Sequence, residues 1–388
     1  MQEANAKSKM AKGKKIKFIF FTLLFLFAII FIIAEVLLAV FHYPSTYTKM
    51  KSFSLEQAKW WTCDSANGPR YVAKQLGKAD ADFFKNEKWY YNRLSIVNNE
   101  GYHDRDNFTE ISAASDSLRV LFAGDSFTWG ASADVDSSYV DVFENDIKKV
   151  YPGLVWNTGV PATGTNHALF TVKKYLPLQK SNYVVLGFYT GNDFTDNLLP
   201  YDNLVFNNLA SCYNLYDYDK DFKAFKISKS EAFKKATGSY PAEELNVFQK
   251  VLIRSRFISF IKDMKAKVVN RLSGNKARVE EQEYKMTKQY LQELNNYTKE
   301  NNAELIVCVI PGDNDLKSKD KNYLNAVEIL KGLSIKYIEN TEHFYDKDYV
   351  KAGGGHWINS GHSKAGHALS KFLLQDINAK QQKTFKKN

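Results

Sequence analysis

Apolar residues are distributed along the chain in three ways. From Phe18 to Phe41 they run almost without a break, and in FIFFTLLFLFAIIFIIAEVLLAVF only Thr22 and Glu35 are polar. An α-helix rises 1.5 Å per residue, so ~20 such residues cross the ~30 Å hydrocarbon core of a bilayer. The run of 24 residues therefore predicts a retained transmembrane helix. A cleavable signal peptide has an apolar stretch of only about 7–15 residues, and no clear A-x-A site follows. A long signal peptide cut near Ala39 is the alternative. Glu35 is expected near the outer end, within reach of the headgroups.

Residues 43–117 mix aromatic with polar positions, as in Lys59-Trp60-Trp61 and Lys88–Arg93. So many Trp and Tyr argue for a region packed on a main domain, since a free linker would not carry them.

From Leu118 short apolar runs alternate with helical spacing. Leu118–Gly124, Leu154–Val160, Asn182–Asp193, Ala303–Pro311 and Lys336–Asn340 read as strands, the first a buried run ending in Gly. Ser137–Tyr151, His167–Gln179 and Gly361–Asp376 read as helices. Repeated β-α units with short connections predict an α/β domain over 118–376, with a doubly wound, flavodoxin-like parallel sheet of about five strands. Ligands in such sheets bind at the carboxyl ends of strands. Between the third and fourth strands, about 194–302 exceeds what a crossover needs. That stretch is expected to be a large, mainly helical insertion capping one edge of the active-site face. It includes a long amphipathic helix, Glu243–Lys267, with Leu245, Phe248, Leu252, Phe257, Phe260 and Ile261 on one side, and a second helix, Arg278–Asn301.

The net charge of +10 invites a nucleic-acid partner. Its distribution removes that reading. Residues 1–17 carry six lysines and one acid, the tail 377–388 holds four lysines and no acid, and the folded body is nearly neutral. A DNA-binding domain would carry the charge on its folded part. The basic segment 1–17 instead sets topology by the positive-inside rule, with the N-terminus in the cytoplasm and everything after the span 18–41 outside it. Mean hydropathy of −0.40 excludes a polytopic transporter. Three cysteines are too few for a disulfide scaffold. Cys63 and Cys212 are candidates to pair, and Cys308 reads as a buried thiol.

Three strand ends carry candidate chemistry. The first is Gly124-Asp125-Ser126-Phe127-Thr128-Trp129-Gly130, a Ser on a tight turn with a helix N-terminus facing it. The plain alternative is a helix N-cap. The third strand ends in Gly191-Asn192-Asp193, where an Asn amide can donate to a developing oxyanion, or simply form a turn. The second ends in Asn157–Gly164, a loop whose N–H groups can point the same way. Near the C-terminus, Gly353-Gly354-Gly355-His356-Trp357-Ile358-Asn359-Ser360-Gly361-His362 places His356 on a glycine loop before the last helix, a good position for a general base. No metal or cofactor is expected: His356, His362 and His367 lack a supporting carboxylate pattern, and no phosphate-cradling Gly motif occurs.

Taken in order, these blocks resemble the SGNH (GDSL-type) hydrolase superfamily over roughly residues 118–376. GDSFTWG is similar to its first block, GND to its third and HWxxxGH to its last. The resemblance implies Ser126 as nucleophile, His356 as general base, and an oxyanion hole from Asn192, the Ser126 N–H and a second-block donor. That donor is usually Gly; by spacing it is Ala162 here, with Gly159 the other candidate. The family's Asp before the His is replaced by Gly353 and Gly354. The readings that follow are a Ser–His dyad, which is favoured, an acid from elsewhere (Asp346, Asp348 or Glu342), or a weakened catalyst. Trp129 and Trp357 are pocket candidates for stacking on a sugar, or core aromatics. The implied activity is a serine esterase or O-acyltransferase acting on acyl esters, on an extracytoplasmic glycan or a small ester, beside a membrane-bound O-acyltransferase partner. The alternative is a catalytically lapsed module that binds glycan or that partner.

Overall fold

The computed structural model describes residues 2–50, 61–64, 68–71, 98, 100–104, 117–134, 136–161, 163–197, 202–206, 209–213, 216–218, 224–272, 275–312, 320–339, 344, 346–350 and 355–385. Ala162, Glu342, Gly353 and Gly354 lie outside these, as do the side chains of Cys63, Cys212 and Asp346. The chain divides into two compact units. One comprises 1–56 with 228–276, the other 57–227 with 277–388. The expected insertion is thus shared between them.

Helix α1 (Gln2–Val40) contains the single described segment long and apolar enough to cross a membrane, Lys15–Val40. The larger unit follows with β1 (Leu118–Gly124), α2 (Ser126–Trp129), α3 (Tyr139–Lys148), β2 (Gly153–Asn157), α4 (Thr165–Gln179), β3 (Tyr183–Tyr189) and α5 (Asp193–Asp196). The smaller unit then contributes α6 (Lys229–Thr237), α7 (Val247–Leu252) and α8 (Arg256–Leu272). The chain finishes with α9 (Asn275–Glu300), β4 (Glu304–Ile310), α10 (Lys321–Gly332), β5 (Lys336–Glu339) and α11 (Asn359–Phe385).

The five strands form one parallel sheet in the order β2-β1-β3-β4-β5. This is the flavodoxin-like order, and it reverses between β1 and β3. Side-chain alternation divides the core. Val120 and Phe122 face α3 and α11 in one cluster, with Phe143, Leu369 and Leu373. Leu121 and Ala123 face the other way with Leu169 and Val172 of α4, Leu291 and Leu294 of α9, and Leu330 of α10. Both faces of the sheet are therefore buried, which is why its strands read as apolar runs without alternation.

Two expectations about helix boundaries are corrected. The helix expected over Glu243–Lys267 is broken. Asn246 and Gln249 form a reciprocal capping box that starts α7, and a fresh N-terminus begins α8. The last helix runs beyond Asp376 to Phe385, and Lys380 in that extension pairs with Glu304 and Asp376. The Glu35 carboxylate accepts from Arg256 N (3.1 Å) and Phe257 N (3.2 Å). Cys308 is a buried free thiol in β4, as its strand position implied.

Candidate active site

The site is built where the sheet order reverses. β1 leads straight into α2, and Asp125 caps that short helix, its Oδ1 accepting from Phe127 N at 2.9 Å. The cap leaves Ser126 as the first helical residue, 9% exposed. Glycines make the approach possible. A Cβ on Gly187 of β3 would lie 2.3 Å from Thr128 Oγ1, and one on Gly159 would lie 2.3 Å from Trp129 N. Only bare backbone lets α2 sit this close to both neighbouring strand ends.

His356 comes from the far end of the chain. Its loop is held on both sides: Val350 N donates to His356 O at 2.9 Å, and Ile358 N donates to Asp348 O at 2.8 Å. The resulting position puts His356 Nε2 2.7 Å from Ser126 Oγ. For the hydroxyl to donate in that bond, Nε2 must carry no proton. The imidazole packs on Phe127, centroids 5.0 Å apart.

Asn192 precedes α5, and its Nδ2 donates to Asp196 Oδ2 at 2.7 Å. One amide proton is thereby fixed, which orients the other. Gly159, the alternative second-block donor, already gives its N–H to Asn157 Oδ1 at 3.0 Å. Its contribution is the close approach to α2, not an oxyanion contact. Ala162 lies outside the described residues.

Of the candidate acids, Asp348 is fully buried, and its two oxygens accept from Ser360 Oγ and Lys364 Nζ, each at 2.6 Å. It ties the His356 loop to the first turns of α11. Trp129 and Trp357 are fully buried and do not form pocket walls. Trp357 stacks on Phe344 at 4.8 Å, and Trp129 tilts against His103 at 4.8 Å. They are the packing behind the Ser and the His. His362 is also structural: Tyr139 N donates to its Nδ1 at 3.2 Å, leaving Nε2 to donate to Ala131 O at 3.1 Å. Among the described residues no group of three or more His, Cys, Asp or Glu is placed to hold a metal.

Sequence reasoning missed a set of acids around Ser126. Burial pushes the Asp125 carboxyl up to about 7; the Phe127 N–H opposes this and the charge of Asp196 reinforces it. Asp193 is raised well above the carboxylate range by burial, then by Asp125 and Asp196. Asp196 rises to about 6 through burial, against the Asn192 hydrogen bond. Asp125 and Asp193 stand inside the blocks already singled out, but their proximity is a property of the sheet and not of either block.

No family model and no curated protein matches the chain. Solved structures of esterases and acylhydrolases do. A two-domain esterase active on acetylated mannans matches at 10% identity and TM-score 0.38, covering 67% of this chain and 49% of its own. The chain thus spans about half the length of that esterase. A lipolytic protein of the G-D-S-L family from Desulfitobacterium hafniense matches at 11% identity and TM-score 0.35, covering 66% and 99%. The psychrotrophic esterase EstA from Pseudoalteromonas sp. matches at 9% identity and TM-score 0.38, covering 68% and 100%.

Proposed function

We propose that this chain is an SGNH-type serine ester hydrolase, held in the cytoplasmic membrane by α1 with its N-terminus inside. The observation that carries the reading is the 2.7 Å contact between Ser126 Oγ and His356 Nε2 at the carboxyl edge of β1. A nucleophile and base within hydrogen-bond reach are the minimum for covalent acyl chemistry.

In the proposed reaction, Ser126 Oγ attacks the ester carbonyl while His356 Nε2 takes its proton. The carbonyl oxygen gathers charge beside the Ser126 N–H and the free amide proton of Asn192. His356 returns the proton to the departing alcohol, and the acyl group stays on Ser126. Water or a sugar hydroxyl then attacks the acyl carbon, His356 accepting its proton and passing it to Ser126 Oγ as the bond from that oxygen to the acyl carbon breaks. With water the chain is an esterase; with a sugar it is an O-acyltransferase. The lysines ahead of α1 favour a catalytic domain outside the cytoplasm. Anchored members of the family that the motifs resemble work on exopolysaccharide and cell-wall glycans beside a membrane-bound O-acyltransferase, and an acylated glycan is the substrate proposed here.

A fluorophosphonate probe on the detergent-solubilised full chain tests the reading. Wild type is expected to label and Ser126→Ala not to. Equal labelling of the two would overturn it and leave the lapsed, glycan-binding module. Release of acetate from a short ester, with and without a glycan acceptor, separates hydrolysis from transfer.

A further inference from the structure

Glu35 lies inside the apolar run Phe18–Phe41, and six helical residues span ~9 Å, so its backbone is well short of the end. Its carboxylate takes the hydroxyl of Ser255 and the N–H groups of Arg256 and Phe257. A carboxylate on exposed N–H groups is the favourable partner for a helix start. One turn deeper, Phe31 meets Phe257 edge-on, centroids 5.5 Å apart. Along α1 between Ile16 and Val40 the partly covered positions are Phe31, Ala34, Glu35 and Leu38. Their spacing of three and four marks one helix face. Whatever medium surrounds the outer half of this helix therefore also surrounds the first turn of α8.

From that turn α8 leads away from the apolar run. Phe260 packs on Tyr43, centroids 5.5 Å apart, and Asp263 accepts from Tyr43 OH at 2.5 Å and Lys49 Nζ at 2.7 Å. The outward surface here is apolar. Val247, Phe248 and Val251 of α7 are 80%, 70% and 61% exposed. Ile261, Met264 and Val268 of α8 are also exposed, at i, i+3 and i+7. Lys250, Arg254, Arg256, Lys262, Lys265 and Lys267 are interleaved with them. Such side chains lay apolar stems along a surface and carry their heads to the interface, where anionic headgroups attract them.

We infer that α7 and the N-terminal half of α8 form a second membrane contact. This wedge inserts Val247, Phe248, Val251 and Ile261 into the acyl chains of the leaflet at the C-terminal end of α1, with Glu35 as its intramembrane cap. The inference rests on α1 being a retained anchor. Its occupant is lipid because Phe31 and Glu35 seat the first turn of α8 on the anchor itself. Helices of this kind bury an apolar face ~5–10 Å into the headgroup boundary.

The test uses the full chain with its three native cysteines replaced. Single cysteines are introduced as Phe25→Cys, Phe248→Cys, Ile261→Cys and Val268→Cys, and each is labelled with an environment-sensitive dye. The labelled chains are reconstituted in phosphatidylcholine–phosphatidylglycerol vesicles containing spin-labelled lipid. Dyes at 248 and 261 are expected to be blue-shifted and quenched several-fold more than the dye at 268. Quenching at 25 without quenching at 248 and 261 would overturn the wedge while leaving the anchor. No quenching at 25 would overturn the anchor and the wedge together. Adding Glu35→Ala is expected to weaken quenching at 248 and 261 and spare 25; unchanged quenching there would remove Glu35 from its role as cap. A circular-dichroism melt of each variant verifies that it is folded.

Discussion

His356 Nε2 and Ser126 Oγ stand 2.7 Å apart although 230 positions separate them in the chain. Neither residue is placed by its own helix or strand alone. Ser126 is fixed by the Asp125 cap and by the glycines that admit α2 between the strand ends. His356 is fixed by the backbone bonds that Val350 and Asp348 make across its loop. The contact therefore reports the whole sheet, and its loss should be felt in catalysis before stability.

Ser126→Ala removes the proposed nucleophile and His356→Ala the proposed base. Each is expected to lower kcat/KM for a short acyl ester by on the order of 10⁴-fold or more, because the two act as one unit. The double variant should be little worse than either single one. Initial rates with a chromogenic acetyl ester check this, and additive losses would contradict a shared proton-transfer step.

Asn192→Ala deletes an amide with one proton already committed to Asp196. If the other proton serves the oxyanion, kcat should fall by about 10²–10³-fold, with KM nearly unchanged. A loss confined to KM would assign Asn192 to binding.

Much of this architecture could be read before any coordinates. The strands of the sheet are apolar runs because both faces are covered, and Gly124 and Gly130, both at positive φ, punctuate the turn that carries Ser126. What escaped depended on contacts between distant segments. The start of α8 is fixed by Glu35, some 220 residues away, and no local pattern announces it. The helix Lys321–Gly332 is not among the expected elements, although Tyr323, Ala326, Val327 and Leu330 have its spacing. Trp129 and Trp357 flank the proposed catalytic residues in sequence. Adjacency along the chain does not distinguish a pocket wall from the packing behind it, and burial does.

Gly187→Ala should show how tightly α2 is held. The added methyl would fall 2.3 Å from Thr128 Oγ1 and 2.6 Å from Tyr139 OH, which are themselves bonded at 2.8 Å. Neither can yield without breaking that bond. A loss of roughly 1–3 kcal/mol is expected, with a lower kcat as Ser126 shifts. Unchanged thermal and chemical denaturation would mean that α2 is free to move.

Asp348→Asn keeps the shape of the side chain but removes its charge. Lys364 is left facing an amide, and a cost of roughly 1–3 kcal/mol is expected. If Asp348 acts by clamping the loop, the pH dependence of kcat should keep its midpoint while the melting temperature falls. A shifted midpoint would make Asp348 the acid that orients His356.

The acids around Ser126 predict how stability depends on pH. An unfolded Asp ionises near pH ~3.9, whereas burial, with Asp196 nearby, raises Asp125 to about 7. Between those values the folded chain binds more protons than the unfolded one, so stability falls as pH rises, by about 1.4 kcal/mol per pH unit for each such proton. The stabilising contribution is complete below about pH 4 and is lost as pH climbs through about 7. Asp196, raised to about 6, acts in the same direction. The melting temperature should therefore drop between about pH 4 and pH 7. In Asp125→Asn the neutral amide cannot ionise, and Asp193 is relieved of one charge that raises it, so the decline should flatten. Groups not coupled to Asp125 are common to both proteins and cancel in the difference. Parallel melting curves for wild type and Asp125→Asn across that range would show that Asp125 is ionised in the folded state.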